Sequence, residues 1–260
     1  IITSDWSSDV CSSDLHDLAQ AVAQVVIAAS RDETLPLLTS VQMQVEGERL
    51  TLMATDRYRL AVREMTWAPQ DTGLTTHALL KARTLSDVAK SLTSTGDITV
   101  ALTEAGASSS GLIGFEAGGR RTTSLLTDGD YPPVLRLFPE ETTIHATVGR
   151  EELMAAVRRV SLVADRSTPI HMSFTEGSLV LDAGTGDDAR ASEQLDAHLD
   201  GQDIATAFNP GYLLDGLGAI TRPYVTFDFT HPSKPAVLTG VSEIGGETDP
   251  SFRYLIMPIR

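Results

Sequence analysis

The sequence predicts an α+β protein in which one type of domain occurs twice, each copy laying two helices on one face of an antiparallel sheet. Two observations indicate the repeat. An apolar stripe at helical spacing recurs about 135 residues further along, and alternating strands follow each stripe in the same order. The stripe residues are Leu18, Val22, Val25, Ala29, Leu153, Val157, Val160 and Ala164. Because the fold occurs twice, we expect the function to involve a repeated surface or the boundary between the two copies.

The first copy reads as helix, strands, helix, strands. Apolar periodicity predicts one helix over 17–30 and a second over 83–92. The glycine-centred turn at 46–48 joins two strands of a hairpin. The predicted strands of this copy are 39–45, 49–55, 58–65, 97–103, 111–116 and 121–127. An acidic, proline-rich linker over 128–141 follows them.

The second copy repeats this order. Its helices are predicted over 150–164 and 209–220, and Asn209 followed by Pro210 is a typical start for the latter. The predicted strands are 143–148, 169–175, 178–184, 190–196, 224–230, 235–241 and 252–258. The glycine-rich segment 244–247 is expected to form an exposed hairpin loop.

The first fifteen residues differ from the rest of the chain. They repeat a Ser-Ser-Asp unit, lack any periodicity and contain the only cysteine, Cys11. A disordered tail and a translated remnant of cloning or assembly are both open explanations, and the abrupt start of a well-patterned helix at His16 favours the remnant. The predicted division is therefore a disordered or non-native tail over 1–15, one domain over 16–141 and another over 142–260.

Composition excludes several classes of protein. The chain has 260 residues and a formal net charge of −15, which argues against gripping nucleic acid through a broad basic surface but allows a small basic patch. No apolar run approaches the roughly 18 residues of a membrane span, and no signal sequence is visible. A single cysteine excludes an intramolecular disulfide framework. We therefore expect a cytoplasmic protein without a membrane partner.

Motifs for catalysis are missing from the sequence. There is no glycine-rich nucleotide loop, phosphate loop or nucleophile elbow, and the six histidines lack metal-ligand spacing. His171 is expected to be an exposed strand residue. Asp187 and Asp188 suggest either a cation site or, as the turn-rich context favours, an ordinary hairpin loop. An enzyme using them or the loop at 128–131 stays open as an alternative, but we expect no cofactor and no intrinsic catalysis.

Three segments carry a resemblance to a known family. They are ATDRYRLAV at 54–62, DGDYP at 128–132 and YLIMPIR at 254–260. At these separations they closely resemble the beta sliding clamp, the processivity subunit of bacterial DNA polymerase III, over residues 16–260. The resemblance implies a tandem repeat of the DNA-clamp fold, with antiparallel sheets on the outside and two helices per domain on the inner face. The two copies match the second and third of the family's three domains.

The resemblance implies a binding protein of DNA replication. Family subunits form head-to-tail homodimeric rings around duplex DNA and hold the replicative polymerase, the clamp loader and repair polymerases through linear motifs with a leading glutamine and leucine–phenylalanine anchors. These motifs enter an apolar cleft between the second and third domains, which suits short peptides because a few buried anchors supply most of their affinity. The matching positions are Leu38, Thr55, Arg57, Tyr58, Arg59, Leu60, Pro132, Arg136, Leu137, Asn209, Tyr212, Leu255, Met257, Pro258, Ile259 and Arg260.

Each of these positions also has an ordinary explanation. Leu60 and Leu255 lie in alternating strands and could belong to the core, and Pro132 could simply stiffen the linker. Two positions depart from the family pattern. Arg57 stands where some members have glycine, and many members have one more apolar residue after the position of Arg260. We favour the cleft because the family brings four separated stretches to one place.

A ring that slides along DNA should bind phosphates weakly, which fits the acidic charge. The candidate DNA-facing cations are Lys81, Arg83, Lys90, Arg158 and Arg159. Arg83 aligns best with a basic position of the family, although all five could be solvated helix residues. The predicted helices at 17–30 and 209–220 contain no lysine or arginine, so we expect weak attraction to DNA. With only two domains, we expect a monomer that cannot encircle DNA, whereas a three-subunit ring is the open alternative.

Overall fold

The computed structural model divides into two compact units. The residues that it describes are 9–91, 96–103, 111–163, 168–184 and 189–259. The first unit contains the described residues up to Asp56 and then Ala61–Pro133, and the second contains Arg57–Leu60 and the described residues from Val134 onward. Both units combine helices with antiparallel strands, which confirms the predicted α+β class.

The first unit has helices α1 (Leu15–Val26) and α2 (Ala82–Ser91). Its strands are β1 (Asp9–Asp14), β2 (Ser40–Glu46), β3 (Arg49–Thr55), β4 (Arg59–Thr66), β5 (Ala68–Pro69), β6 (Thr75–Lys81), β7 (Asp97–Thr103), β8 (Leu112–Ala117) and β9 (Arg120–Leu125), although the first two residues of β4 belong to the second unit. They lie in the orders β5-β1-β7-β8-β9 and β4-β3-β2-β6. Helix α1 ends before the predicted residue 30, because the N–H groups of Ala28 and Ala29 turn back to the carbonyls of Val25 and Val26.

Residues 9–14, part of the segment expected to be a disordered or non-native tail, form strand β1 in the structure. It pairs antiparallel with β7 along its whole length, from Asp9 opposite Leu102 to Asp14 opposite Asp97. The Asp14 carboxylate then accepts the His16 N–H at 2.7 Å and caps α1. The Ser-Ser-Asp repeat has no apolar alternation, so its pairing follows from the free backbone groups at the edge of β7. Residues 1–8 lie outside the described part of the chain.

The second unit has helices α3 (Arg150–Val160) and α4 (Pro210–Ala219) and short 3-10 helices at Val134–Leu137 and Ser161–Val163. Its strands are β10 (Ile144–Gly149), β11 (Ile170–Thr175), β12 (Ser178–Ala183), β13 (Ala191–Asp200), β14 (Ile204–Phe208), β15 (Tyr224–Phe229), β16 (Ala236–Val241) and β17 (Thr248–Ile256). Their order is β14-β11-β12-β13-β10-β15-β16-β17. The first part of the long β13 pairs with β12 and its last part pairs with β10, so one strand serves both halves of this sheet.

Each unit has its own core, built from the predicted stripes. Leu18 and Val25 on α1, like Leu153 and Val157 on α3, are at most 3% exposed. In the second unit the Phe174 ring also packs on the rings of two other phenylalanines, with centroids 5.5 and 5.6 Å away. The helices therefore lie on their sheets through the repeated apolar stripe. No helix in the described part of the chain is both long and apolar enough to cross a membrane.

Helix α4 begins as its sequence predicts. Asn209 is the N-cap and accepts the Tyr212 N–H at 3.1 Å, and Pro210 occupies the first helical position. Further along, Gly216 lies against the ring of Tyr254. A Cβ atom at Gly216 would be 2.4 Å from two atoms of that ring, so only glycine fits. The Tyr254 hydroxyl donates to the Tyr212 carbonyl at 2.8 Å, which fixes the first turn of α4 on β17.

Candidate functional site

Three segments of the second unit come together at one place. They are Arg57–Leu60, the first turns of α4 and the residues that follow β17. The Met257 N–H donates to the Tyr58 carbonyl at 2.8 Å, and the Ile259 N–H donates to the Ala207 carbonyl at the same distance. Pro258 has no N–H to donate, so the flanking residues alone tie this stretch to its two neighbours. The end of the described chain is thus held on both sides.

The Arg59 cluster, which comprises Tyr58, Arg59, Tyr212 and Asp215, lies within this site. Arg59 is only 5% exposed, and its Nη1 lies 2.6 Å from Oδ2 of Asp215. The guanidinium carbon of Arg59 lies 4.2 Å from the ring centroid of Tyr212. The Tyr212 ring in turn stacks on Tyr58, with centroids 6.2 Å apart and planes 26° apart. Ion pair, cation–π contact and ring stacking together define the orientations of these planar groups.

Large apolar side chains are exposed in the same segments. Tyr58 is 54% exposed, and Met257 and Ile259 are 38% and 37% exposed. In the 3-10 helix at Val134–Leu137, Leu137 is 52% exposed. Arg253 of β17 lies over the ring of Phe138, which directly follows that helix, at 4.6 Å. Apolar groups left open beside an ordered aromatic cluster are typical of a binding surface.

The remaining predicted site residues of the second unit have different surroundings. Leu60 and Leu255 are 1% and 2% exposed, so in this structure they are core residues. Arg136 is exposed and Pro258 is half-buried. Asn209 caps α4 and thereby positions Tyr212. The predicted Arg260 lies outside the described residues.

Three predicted site residues belong to the first unit. Leu38 is half-buried, and Pro132 is exposed. The buried Thr55 donates its N–H to the phenol oxygen of Tyr131 at 3.0 Å. Burial of that phenol raises the pKa of Tyr131 far above its ordinary value. The Tyr131 hydroxyl therefore has a structural partner, and the contribution of Leu38, Thr55 and Pro132 to the site remains a prediction.

Arg57 has an unusual backbone. Its φ is +82°, and it is the only non-glycine residue with a positive φ in the described part of the chain. L side chains in this left-handed region cost about 1 kcal/mol, and such strain is found most often at functional sites. The guanidinium carbon of Arg57 lies 6.0 Å from the ring centroid of Tyr58. A glycine at this position would adopt the same conformation without strain.

The candidate DNA-facing cations differ in how far their charge is compensated. Arg159 donates to both carboxylate oxygens of Glu193 at 2.7 Å, and this hydrogen bonding raises the pKa of Arg159 and lowers that of Glu193. Lys81 lies 3.9 Å from a Glu33 oxygen, with both side chains largely exposed. The other three candidates, Arg83, Lys90 and Arg158, are exposed. None of them forms an ion pair with another residue that the structure describes.

Asp215, Gly216 and Tyr254 were not among the predicted site residues, although Tyr254 is the first residue of the YLIMPIR segment. One signal was present: a glycine inside a helix costs about 1 kcal/mol relative to alanine, so Gly216 indicated a close approach. Asp215 carried no comparable signal. Asp187 and Asp188, the candidates for a cation site, lie outside the described residues. Among the residues that are described, no three His, Cys, Asp or Glu side chains are grouped to hold a metal.

Comparisons with known proteins match both units. The family model for the DNA polymerase III beta subunit, central domain, matches residues 14–133, and the model for its C-terminal domain matches residues 135–260. A beta sliding clamp of Streptomyces coelicolor is 50% identical over 242 residues, which are 93% of this chain and 64% of that protein. The beta sliding clamp homolog GriR of Streptomyces muensis is 43% identical over 252 residues, or 96% of this chain and 66% of the homolog.

Solved structures show the same fold. The crystal structure of the DNA polymerase sliding clamp from Bacillus subtilis aligns with a TM-score of 0.90 at 23% sequence identity, covering 100% of this chain and 66% of that one. This chain therefore spans about two thirds of the length of the proteins it matches. The tandem clamp fold that the resemblance implied is confirmed. The chain belongs to the DNA polymerase III beta subunit family and contains its central and C-terminal domains.

Proposed function

We propose that this chain is part of a DNA sliding clamp subunit, which confers processivity on the replicative DNA polymerase and docks linear peptide motifs. The observation that carries the proposal is the Arg59 cluster with the exposed Tyr58 and Met257 beside it. Its partners are the replicative polymerase, the clamp loader and repair polymerases. The protein works in the cytoplasm, where replication takes place, and it has no intrinsic nucleotidyl-transfer activity.

Peptide docking fits the chemistry of this surface. Burying a leucine and a phenylalanine anchor gains about 2–3 kcal/mol each, and ordering the peptide takes back part of that gain. The stacked rings of Tyr58 and Tyr212 form an aromatic wall before any peptide binds. Less conformational entropy of the protein is therefore lost on binding. Met257 suits a surface with several partners, because its flexible thioether adapts to different side chains. We expect an isolated motif peptide to bind with micromolar to millimolar affinity.

Duplex DNA is the second partner. The exposed Arg83, Lys90 and Arg158 supply a few separate cations on a chain of net charge −15, so phosphate binding is weak and salt-sensitive. Arg159 contributes less, because Glu193 compensates its charge. In the full-length relatives we infer that the homodimeric ring retains DNA topologically. We expect this two-domain chain to be a monomer that holds DNA only weakly.

The direct test is fluorescence anisotropy of a labelled peptide with a leading glutamine and leucine–phenylalanine anchors. We expect saturable binding to the 260-residue chain. Met257→Ala should weaken it about three- to tenfold, because truncating an interface side chain of this size costs roughly 1 kcal/mol. Leu162→Ala is the matched control, since Leu162 is an apolar residue 84% exposed on a different segment. Absence of saturable binding, or equal losses in both variants, would contradict the proposal.

A further inference from the structure

We propose that Asp215 is a positioning residue for the peptide site: it holds Arg59 flat against Tyr212 and thereby orders the aromatic wall that receives the peptide. The inference rests on the proposed function, and it adds to the site a residue that neither the repeat nor the family motifs identified. Asp215 is the only charged residue of α4. Its carboxylate lies on Arg59, so its effect on a peptide passes through that side chain.

The first step is the burial of the Arg59 charge. Arg59 is 5% exposed, whereas Asp215 is 44% exposed. A guanidinium withdrawn from water requires a charged partner close by, because an uncompensated charge in the interior is strongly unfavourable. Oδ2 of Asp215 meets this requirement at 2.6 Å from Nη1. The carboxylate therefore restrains where the planar guanidinium group can lie.

The second step concerns the two tyrosines, whose rings are oriented by the position of the Arg59 guanidinium group. Tyr212 and Asp215 are three positions apart on α4 and share one face of the helix. A guanidinium bonded to Asp215 consequently lies over the Tyr212 ring, at 4.2 Å from its centroid. Tyr58 stacks on Tyr212 at 6.2 Å. One carboxylate thus begins a series of stacked planar groups that ends at the exposed Tyr58.

Contacts other than those of Asp215 hold the first turn of α4. The Tyr212 backbone is already fixed by the Asn209 cap at 3.1 Å and by the Tyr254 hydroxyl at 2.8 Å. Asp215 is the sixth residue of α4, beyond the first turn in which an acidic side chain favours the helix dipole. Its carboxylate acts on side chains of the wall, and the site gains order before a peptide arrives.

The experiment uses the full chain and the labelled peptide described above. Asp215→Asn keeps the shape of the side chain and removes its charge, and we expect about fivefold weaker binding. Asp215→Glu restores the carboxylate and should recover most of the affinity. Asp203→Asn is the control, because it makes the same charge change at an exposed loop position outside the Arg59 cluster. We expect it to bind like the wild type.

A second readout separates positioning from a general structural role. In the free protein, the ring resonances of Tyr58 and Tyr212 in tyrosine-labelled NMR spectra should shift in Asp215→Asn and stay unchanged in Asp203→Asn. Wild-type affinity in Asp215→Asn would overturn the positioning role alone. A loss of affinity with unchanged ring resonances, or with a parallel loss of thermal stability, would also overturn it. If the wild-type chain itself binds no peptide, the proposed function fails as well, and this result distinguishes the two failures.

Discussion

The second helices of the two units, α2 and α4, have the same length but expose different kinds of side chain. Both have ten residues and bury leucines on their inner faces, Leu85 on α2 and Leu213 on α4. Helix α2 exposes Arg83 and Lys90, whereas α4 has no cation and exposes part of an aromatic cluster. The repeat therefore preserves the buried face of the helix, which the fold requires, and leaves the other face free to specialise.

One tyrosine in each unit fixes a backbone group of another residue, but the two tyrosines do so in different ways. In the first unit, the Tyr131 phenol oxygen accepts the Thr55 N–H. In the second, the Tyr254 hydroxyl donates to the Tyr212 carbonyl. Each fixes the backbone of a predicted site residue, but Tyr131 acts as an acceptor from a strand and Tyr254 as a donor to a helix. Their different surroundings make the two units respond differently to substitution.

The largest effect should come from filling the space that α4 leaves for Tyr254. We expect Gly216→Ala to lower the free energy of unfolding of the second unit by about 2–3 kcal/mol, because the new Cβ would overlap the Tyr254 ring. The seventh residue of α2, by contrast, is the buried Val88. Urea-induced unfolding followed by tyrosine fluorescence measures the change.

Gly218→Ala on the same helix is the matched control for this substitution. A Cβ at Gly218 would lie 3.9 Å from the Met154 Cε, an ordinary contact. Because alanine favours the helix over glycine, we expect a neutral result or a gain of about 0.5–1 kcal/mol. Equal destabilisation by the two variants would show that the Tyr254 contact does not set the requirement for glycine.

The next effect concerns Tyr131 and has a defined pH dependence. Tyr131→Phe removes the phenol oxygen that accepts the Thr55 N–H and should cost about 1–2 kcal/mol at neutral pH. Burial raises the pKa of the Tyr131 phenol above that of the unfolded chain, so its stabilisation is complete below about pH 10 and declines as the pH rises further.

Thermal unfolding of the wild type and Tyr131→Phe between pH 7 and 11 measures this dependence. The difference in stability between the two proteins should shrink above about pH 10, where the unfolded wild type gains by losing its phenol proton. Tyr224→Phe makes the same change at a half-buried position of the second unit and serves as the control. A constant difference across the whole range would contradict the assignment to Tyr131.

The smallest effect tests the cationic surface of α2. Arg83→Glu should weaken binding of a labelled DNA duplex severalfold at low salt, and the loss should fade as salt is added. Lys234→Glu makes a comparable charge change on an exposed turn of the second unit and should matter less. If both substitutions weaken binding equally, net charge rather than the surface of α2 governs the attraction.

Apolar periodicity predicted the helices well because burial of one face dominates their formation. The strands that the sequence missed lack that signal. β6 pairs with β2 from Ser40 opposite Lys81 to Glu46 opposite Thr75, but its apolar residues are consecutive rather than alternating. β14 is only five residues long. Their pairing depends on neighbouring strand edges, which no local pattern reveals.

Some residues of the candidate site could be predicted from the sequence and others could not. Tyr58, Arg59, Tyr212 and Met257 were identified from motifs, and the structure brings them together in the second unit. Asp215 was missed because its partner Arg59 lies 156 positions earlier in the chain. Leu60 and Leu255, also predicted for the site, are 1% and 2% exposed, and strand alternation alone does not distinguish a cleft from an interior.

The assignment of Arg57–Leu60 to the second unit has a consequence for biosynthesis and for protein engineering. A ribosome makes Tyr58 and Arg59 long before it makes Tyr212, so the aromatic wall is completed only after α4 has been translated. A chimera that exchanges residues 134–260 between two relatives would combine the helix of one protein with the tyrosine and arginine of the other. Residues 57–60 and residues 134–260 of one relative would therefore have to be exchanged together to keep the Arg59 cluster from a single parent.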